Sequence, residues 1–300
     1  MEKRETDLQI RANLSYTKNP VKRLITFHFF SFSVKVAAMN LYKRLVRAAH
    51  KTSTRITLVH SKFRRVTRRS GHSIFIAAMP KSASTYLVRL IEEATGFIPH
   101  SYTYNPHQEQ DLYLPRLTDG YGMNTVSHQH TRPSPKNLDL MEKFNIKPVI
   151  LTRNLPDVMM SHRDHLLKES RDKCSIHAPA EFESWDNNKQ LDFVIDFAGN
   201  WCTQFVGQWH EHAKDALWLT YKDVTASPEK ALSQVLDYYE ISYKNEDIQK
   251  AVEAVVGSGN TRMNKGKAGR GKELSQTQLD RLKQFASHYP DAPLDLKTSS

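Results

Sequence analysis

The stretch Ser73–Gly96, SIFIAAMPKSASTYLVRLIEEATG, predicts a buried β-strand that turns sharply into an amphipathic helix. Ser73–Ala78 is short and mostly apolar, which is typical of a parallel strand covered on both faces. Apolar residues then recur at helical spacing, and Gly96 suits the end of a helix. The turn at 79–85 places backbone N–H groups, the positive helix end, a lysine and three hydroxyls together. It therefore predicts a site for an anionic group.

A second turn of this kind follows another predicted strand, Lys147–Thr152. Arg153 comes directly after the strand and offers a planar, permanently charged fork that suits a phosphate. Ser161, about two helical turns further on, can reach the same anion. An arginine at a strand end is equally typical of a structural ion pair. Two anion-type turns in one chain, each after a strand, favour one site with two anion-binding loops.

The charge of the chain is concentrated near its N-terminus. Residues 1–72 hold 17 of the 43 Lys and Arg but only three of the 32 acids, so the rest of the chain is slightly acidic. The net charge of +11 therefore describes a basic extension, and no nucleic-acid partner is expected. The two cysteines, Cys174 and Cys202, support neither a disulfide framework nor a cysteine metal site.

The extension contains an aromatic run, Leu24–Val34, that is too short to span a membrane. A basic amphipathic helix is predicted directly after it, at 34–49. Residues 24–50 thus suit contact with an anionic membrane surface, but a helix packed on the folded domain or a targeting segment fits the same pattern. The oligomeric state is not predicted.

The remaining pattern alternates strands and helices. It predicts one α/β domain with a central parallel sheet flanked by helices. Residues 162–189 lack a clear period and are interpreted as a lid or insertion. The other predicted elements are the strands Asn124–His130 and Ala216–Tyr221, the helices Leu138–Phe144, Leu191–Lys214 and Leu274–His288, a helix opening near Pro228, and a loose tail from Pro290.

The first turn lacks the glycines of a nucleotide-phosphate P-loop. Instead it resembles the P-K-S-G-T-T-W loop with which sulfotransferases hold the 5′-phosphosulfate of 3′-phosphoadenosine 5′-phosphosulfate (PAPS). The matching residues are Pro80, Lys81, Ser82 and Thr85, while Ala83, Ser84 and Tyr86 replace the family's glycine, threonine and tryptophan. The second turn resembles the family's R-N-x-x-D-x-x-x-S segment, which binds the 3′-phosphate, at Arg153, Asn154, Asp157 and Ser161.

The resemblance also implies further site residues. His130, before Thr131-Arg132-Pro133, is the closest match to the family's catalytic base. His128 lies on the same face of the predicted strand and is the alternative base, and a His-x-His metal pair is a third possibility. Tyr221 matches a tyrosine beside the adenine, and Asn264, Lys265 and Gly266 fall in the segment that closes over the 3′-phosphate.

The implied protein is a PAPS-dependent sulfotransferase with a P-loop NTPase-like domain at 73–290, a basic extension at 1–72 and a tail at 291–300. In-line displacement would move a sulfonate to a hydroxyl or amine of a small-molecule, lipid or sugar acceptor. Lys81, His130 or His128, and Ser161 would be catalytic, with no metal. The expected location is cytoplasmic, with peripheral membrane association open. The alternatives are a phosphotransferase of this architecture and a non-catalytic, membrane-associated nucleotide-binding protein.

Overall fold

The computed structural model describes residues 71–104, 110–168, 176–257 and 269–298. Within them, five parallel strands form one sheet in the order β2-β3-β1-β4-β5. The strands are β1 (Ser73–Ala78), β2 (Ile98–Pro99), β3 (Thr125–Gln129), β4 (Pro148–Thr152) and β5 (Leu217–Thr220). The predicted α/β fold with a central parallel sheet is confirmed. The predictions for the basic extension, including membrane contact through 24–50, lie outside the described residues.

Helices connect and cover the strands. They are α1 (Ser84–Thr95), α2 (Leu114–Gly120), α3 (Pro135–Phe144), α4 (Leu155–Lys168), α5 (Asn187–Val194), α6 (Asn200–His212), α7 (Tyr221–Ala226), α8 (Pro228–Tyr238), α9 (Asn245–Gly257) and α10 (Gln276–Ala286). Short 3₁₀ turns occur at Ala180–Ser184 and Arg270–Glu273. None of the helices in the described ranges has the length and apolar character needed to cross a membrane.

β1 lies at the centre of the sheet, and its side chains alternate between two apolar layers. Ile74 and Ile76 pack with α1, α8 and α9 on one face, and Phe75 and Ala77 pack with α4 and α6 on the other. All four side chains are fully buried. Because both faces of the sheet are covered, β1 is a continuous apolar run and not an alternating one.

The turn out of β1 and the helix after it form as the sequence predicts. Leu87, Leu90 and Ile91 bury the apolar face of α1. The helix stops at Gly96, whose φ of 68° is left-handed and whose N–H bonds the Glu92 carbonyl. A glycine reaches this conformation at little steric cost.

The predicted single helix Leu191–Lys214 is divided in the structure. α5 and α6 are separated by a π-helical turn at Ile195–Gly199. A π turn adds a residue and rotates the helix that follows, and hydrophobic spacing alone does not reveal it. Its last residue is constrained, since a Cβ on Gly199 would lie 2.9 Å from Leu282 Cδ2.

Two other segments are more ordered than predicted. The segment from His162 begins as helix, because α4 continues to Lys168. The predicted loose tail also packs: the Leu155 N–H donates to the Asp295 carbonyl at 2.9 Å, and Leu294 and Leu296 contact the core. α2, α7 and α9 are additional helices that were not predicted from the sequence.

The side chain of Tyr239, which is distant in sequence from β1 and β4, forms hydrogen bonds at both strands. Its hydroxyl accepts from the Phe75 N–H at 2.8 Å and donates to the Lys147 carbonyl. Burial raises the pKa of this phenol, so the hydroxyl keeps its proton and remains a donor. The bond anchors β1 beside β4, the two strands that lead into the predicted anion-binding turns.

Candidate active site

Four groups of predicted site residues meet at the carboxyl edge of the sheet. β1, β3, β4 and β5 are parallel, so the residues that follow them emerge on the same side. Those residues are the Lys81 turn, His130, Arg153 and Tyr221. In an open α/β sheet this edge is where ligands bind.

The turn after β1 is held by its own backbone and side chains. The Met79 N–H donates to the Leu151 carbonyl at 2.8 Å, and the buried Ser82 hydroxyl donates to the Met79 carbonyl at 2.5 Å. Lys81 and Ala83 both have positive φ, 66° and 69°. The family's usual glycine would adopt that conformation without the Cβ clash that Ala83 accepts.

α1 begins directly after this turn with Ser84, Thr85 and Tyr86. Ala83 is its N-cap and supplies no side-chain hydrogen bond to the helix. The Tyr86 N–H donates to the Ala83 carbonyl at 3.1 Å, so it is the N–H groups of Ser84 and Thr85 that depend on groups outside the helix, which is the arrangement that binds anions. Pro80 lies in the turn, and Tyr86 is buried in the apolar layer beside α8.

Arg153 links the first turn to the strand end of β5. Its Nη1 donates to the Lys81 carbonyl at 2.9 Å, and its guanidinium lies over the Tyr221 ring at 3.9 Å. Burial lowers the pKa of Arg153, while Tyr221 and Asp157 oppose that effect. The nearest Asp157 oxygen is 3.9 Å from Nη2, and Nε has no hydrogen-bond partner among the described residues. The site thus holds a buried, incompletely neutralised cation.

Asp157, which lies in the predicted phosphate-binding segment, binds backbone N–H groups of the chain itself. Its two carboxylate oxygens accept the N–H groups of Gly269 and Gly271 at 2.9 and 2.8 Å. Gly271 packs so closely that a Cβ would lie 2.3 Å from the Pro156 Cβ. Asp157 therefore anchors Gly269 and Gly271, which closely follow the residues predicted to close over the 3′-phosphate. Asn264, Lys265 and Gly266 themselves lie outside the described residues.

His130 has a defined tautomer in this structure. Its Nδ1 lies 2.8 Å from the Ala78 carbonyl oxygen. A carbonyl can only accept, so in the neutral ring the proton is on Nδ1 and the lone pair is on Nε2. The ring meets the edge of Trp201 at a centroid distance of 6.4 Å.

His128 lies within β3, where it pairs with Ile76, whereas His130 follows the strand end. The two histidines therefore occupy different parts of the sheet. No group of three potential metal-ligating side chains occurs among the described residues.

Ser161 and its neighbour His162 lie on the buried side of α4. His162 is not one of the site residues predicted from the sequence. Its pKa is lowered to about 3, first by burial and then by its electrostatic interactions with Lys81, His165 and His130. His162 is therefore electrostatically coupled to Lys81 and His130. A histidine directly after the predicted phosphate serine was the only sequence signal for it.

A parallel α/β domain whose carboxyl edge brings together Lys81, Arg153 and the first N–H groups of a helix is typical of proteins that bind a nucleotide or another phosphate. Residues 72–266 match the family model described as the sulfotransferase domain. The chain belongs to this family. That membership confirms the class predicted from the sequence, an enzyme that transfers sulfonate from PAPS.

The chain is similar in structure to a mouse sulfotransferase, SULT7A1, complexed with PAP, with a TM-score of 0.57 and 13% identity over 74% of this chain and 86% of that one. It is also matched to a retinol dehydratase in complex with androsterone and PAP, with a TM-score of 0.48 and 14% identity over 75% and 82%. At 13% identity, the similarity to the mouse sulfotransferase shows a shared fold and nothing further. No curated protein sequence matches the chain significantly.

Proposed function

We propose that this protein transfers the sulfonate of PAPS to a hydroxyl group of a small-molecule acceptor, with His130 as the general base. The observation that carries the proposal is the position of Arg153. One buried guanidinium contacts both the Lys81 carbonyl of the first turn and the Tyr221 ring after β5. Both predicted anion-binding turns therefore belong to one site, as a nucleotide with phosphates at two positions requires.

In this proposal the two ends of the donor bind separately. Arg153 and Ser161 hold the 3′-phosphate, and Tyr221 lies beside the adenine. The turn of Lys81 and the first N–H groups of α1 hold the 5′-phosphosulfate. The incompletely neutralised charge of Arg153 supports this assignment, because a phosphate dianion would supply the missing partner.

The transfer step follows from the tautomer of His130. The Nε2 lone pair takes the proton of the acceptor hydroxyl while the hydroxyl oxygen attacks sulfur. The bond between sulfur and the phosphate oxygen breaks, and adenosine 3′,5′-bisphosphate (PAP) leaves. Lys81 and the N–H groups of the turn stabilise the charge that develops on the leaving oxygen. The Nδ1–H bond to Ala78 keeps the ring oriented throughout.

Calorimetric titration tests the donor site. We expect PAP to bind the wild type much more tightly than ADP or ATP. Arg153→Ala should weaken PAP binding by about 100-fold, since it removes a charge-assisted contact and uncovers the Tyr221 ring. Arg153→Lys keeps the charge without the fork and should lie between the two. Equal binding of ATP would instead favour the phosphotransferase alternative.

A transfer assay with labelled PAPS tests the base. His130→Asn should lower turnover by about 100- to 10,000-fold, with PAP affinity retained. His128→Asn is the matched control, because His128 lies within β3. A larger loss of turnover in His128→Asn would reassign the base. PAP binding without transfer to any acceptor by the wild type would favour the non-catalytic alternative.

A further inference from the structure

Arg132 lies two residues after His130 and has a neutral set of partners. Its Nε and Nη2 donate to Gln110 Oε1 at 3.2 and 2.9 Å, and its Nη1 donates to Gln204 Oε1 at 3.2 Å. Among the described residues it forms no salt bridge with a carboxylate. Amide oxygens orient a guanidinium but leave its charge uncompensated. The side chain is half-buried, so water screens this charge only in part.

The ring of Trp201 contacts both Arg132 and the predicted base, His130. The Arg132 guanidinium lies over the Trp201 ring at 5.5 Å, and His130 meets the same ring at 6.4 Å. The indole N–H of Trp201 is buried and has no hydrogen-bond acceptor in the described parts of the chain. Trp201 follows the π-helical turn closely, and such turns often occur at functional sites.

The surroundings of the proposed base thus contain a surplus of hydrogen-bond donors and positive charge. We propose that Arg132 and Trp201 form an acceptor subsite for an acidic group. The acceptor would then be a hydroxyl compound that carries a carboxylate or similar anion close to the reacting hydroxyl. This inference rests on the proposed function, since it requires the acceptor to approach His130.

Such a subsite would offset the electrostatic repulsion between an anionic acceptor and the anionic donor. An anionic acceptor is repelled by the multiply charged donor bound at the Lys81 turn. A fixed cation on the acceptor side of His130 offsets that repulsion and orients the acceptor at the same time. The Gln110 and Gln204 amides hold the guanidinium in place without neutralising it, which keeps its charge available for the acceptor.

Matched acceptor pairs test the subsite by sulfonate transfer from labelled PAPS. The two members of each pair differ only in that one carries a carboxylate and the other a carboxamide. The pairs are 2-hydroxyphenylacetate and its amide, 2-hydroxydodecanoate and its amide, and glucuronate and glucuronamide. For at least one scaffold we expect kcat/KM of the carboxylate to exceed that of the amide by about tenfold or more, as for other charge-assisted contacts. Arg132→Met should bring the ratio close to one.

Two variants separate the subsite from a structural role of Arg132. Arg132→Lys keeps the charge and should retain part of the carboxylate preference, whereas Arg89→Met, which alters an arginine of α1, should retain all of it. PAP affinity should be unchanged in all three variants. A ratio near one in the wild type, or an unchanged ratio in Arg132→Met, would overturn the inference.

Transfer to none of the pairs by protein that binds PAP would also overturn it. Failure of the wild type to bind PAP would count against the proposed donor site instead.

Discussion

Replacing His162 with phenylalanine tests whether this buried histidine of α4 has a lowered pKa. His162 is 2% exposed, and neither ring nitrogen has a hydrogen-bond partner among the described residues. Burial, together with electrostatic interactions with Lys81, His165 and His130, lowers the pKa of His162 from 6.5 to about 3. Phenylalanine keeps the approximate size of the ring but does not titrate, so it removes only the protonation equilibrium and the two buried nitrogens.

The sign and size of the effect follow from linkage. The folded pKa lies below the unfolded one, so acid favours the unfolded chain. The free energy of unfolding therefore falls as the pH drops below 6.5, and the fall continues to about 3. Each pH unit within that window costs up to about 1.4 kcal/mol. Between pH 7.5 and 4.5, His162 should remove about 2.5 kcal/mol of stability from the wild type.

Urea unfolding at several pH values between 7.5 and 4.5 measures this loss. Other titrating groups are shared by both proteins, so the difference between wild type and His162→Phe isolates the histidine. We expect the variant to gain about 2.5 kcal/mol relative to wild type over this range. His162→Gln, which is polar but does not titrate there, should show the same gain. A difference that does not change with pH would refute the buried, neutral histidine.

Other variants test the supports of the site. Tyr239→Phe leaves the Phe75 N–H and the Lys147 carbonyl without their buried partner, and should lower the urea-derived free energy of unfolding by about 1–3 kcal/mol; no loss would contradict the bond. Ala83→Gly relieves a left-handed alanine and should raise stability by about 0.5 kcal/mol in thermal unfolding, with PAP affinity unchanged. Asp157→Asn replaces one of the two oxygens that accept the N–H groups of Gly269 and Gly271. It should weaken PAP binding by about tenfold in calorimetry. An unchanged affinity would show that this anchor is dispensable.

Much of the fold could be predicted from the sequence because the relevant signals are local. The apolar run of β1, the helical spacing of α1 and the stop at Gly96 act within a few residues of one another. The order of strand, turn and helix then implies a parallel sheet, and parallel strands bring Lys81, His130 and Arg153 to one edge. The π turn before α6 was not predicted, since one inserted residue hardly changes the apolar pattern.

The class of fold, the family resemblance and the two predicted anion-binding turns can be derived from the sequence alone. The contacts that hold these turns in place appear only in the folded chain. Tyr239 bonds Phe75 across 164 residues, Asp157 anchors Gly271 across 114, and Asn154 donates to the Lys297 carbonyl across 143. The electrostatic surroundings of His162 and the hydrogen bond between Arg132 and Gln204 also involve residues that are far apart in the sequence. These contacts depend on the folded path of the chain, whereas propensity and periodicity report only on neighbours in sequence.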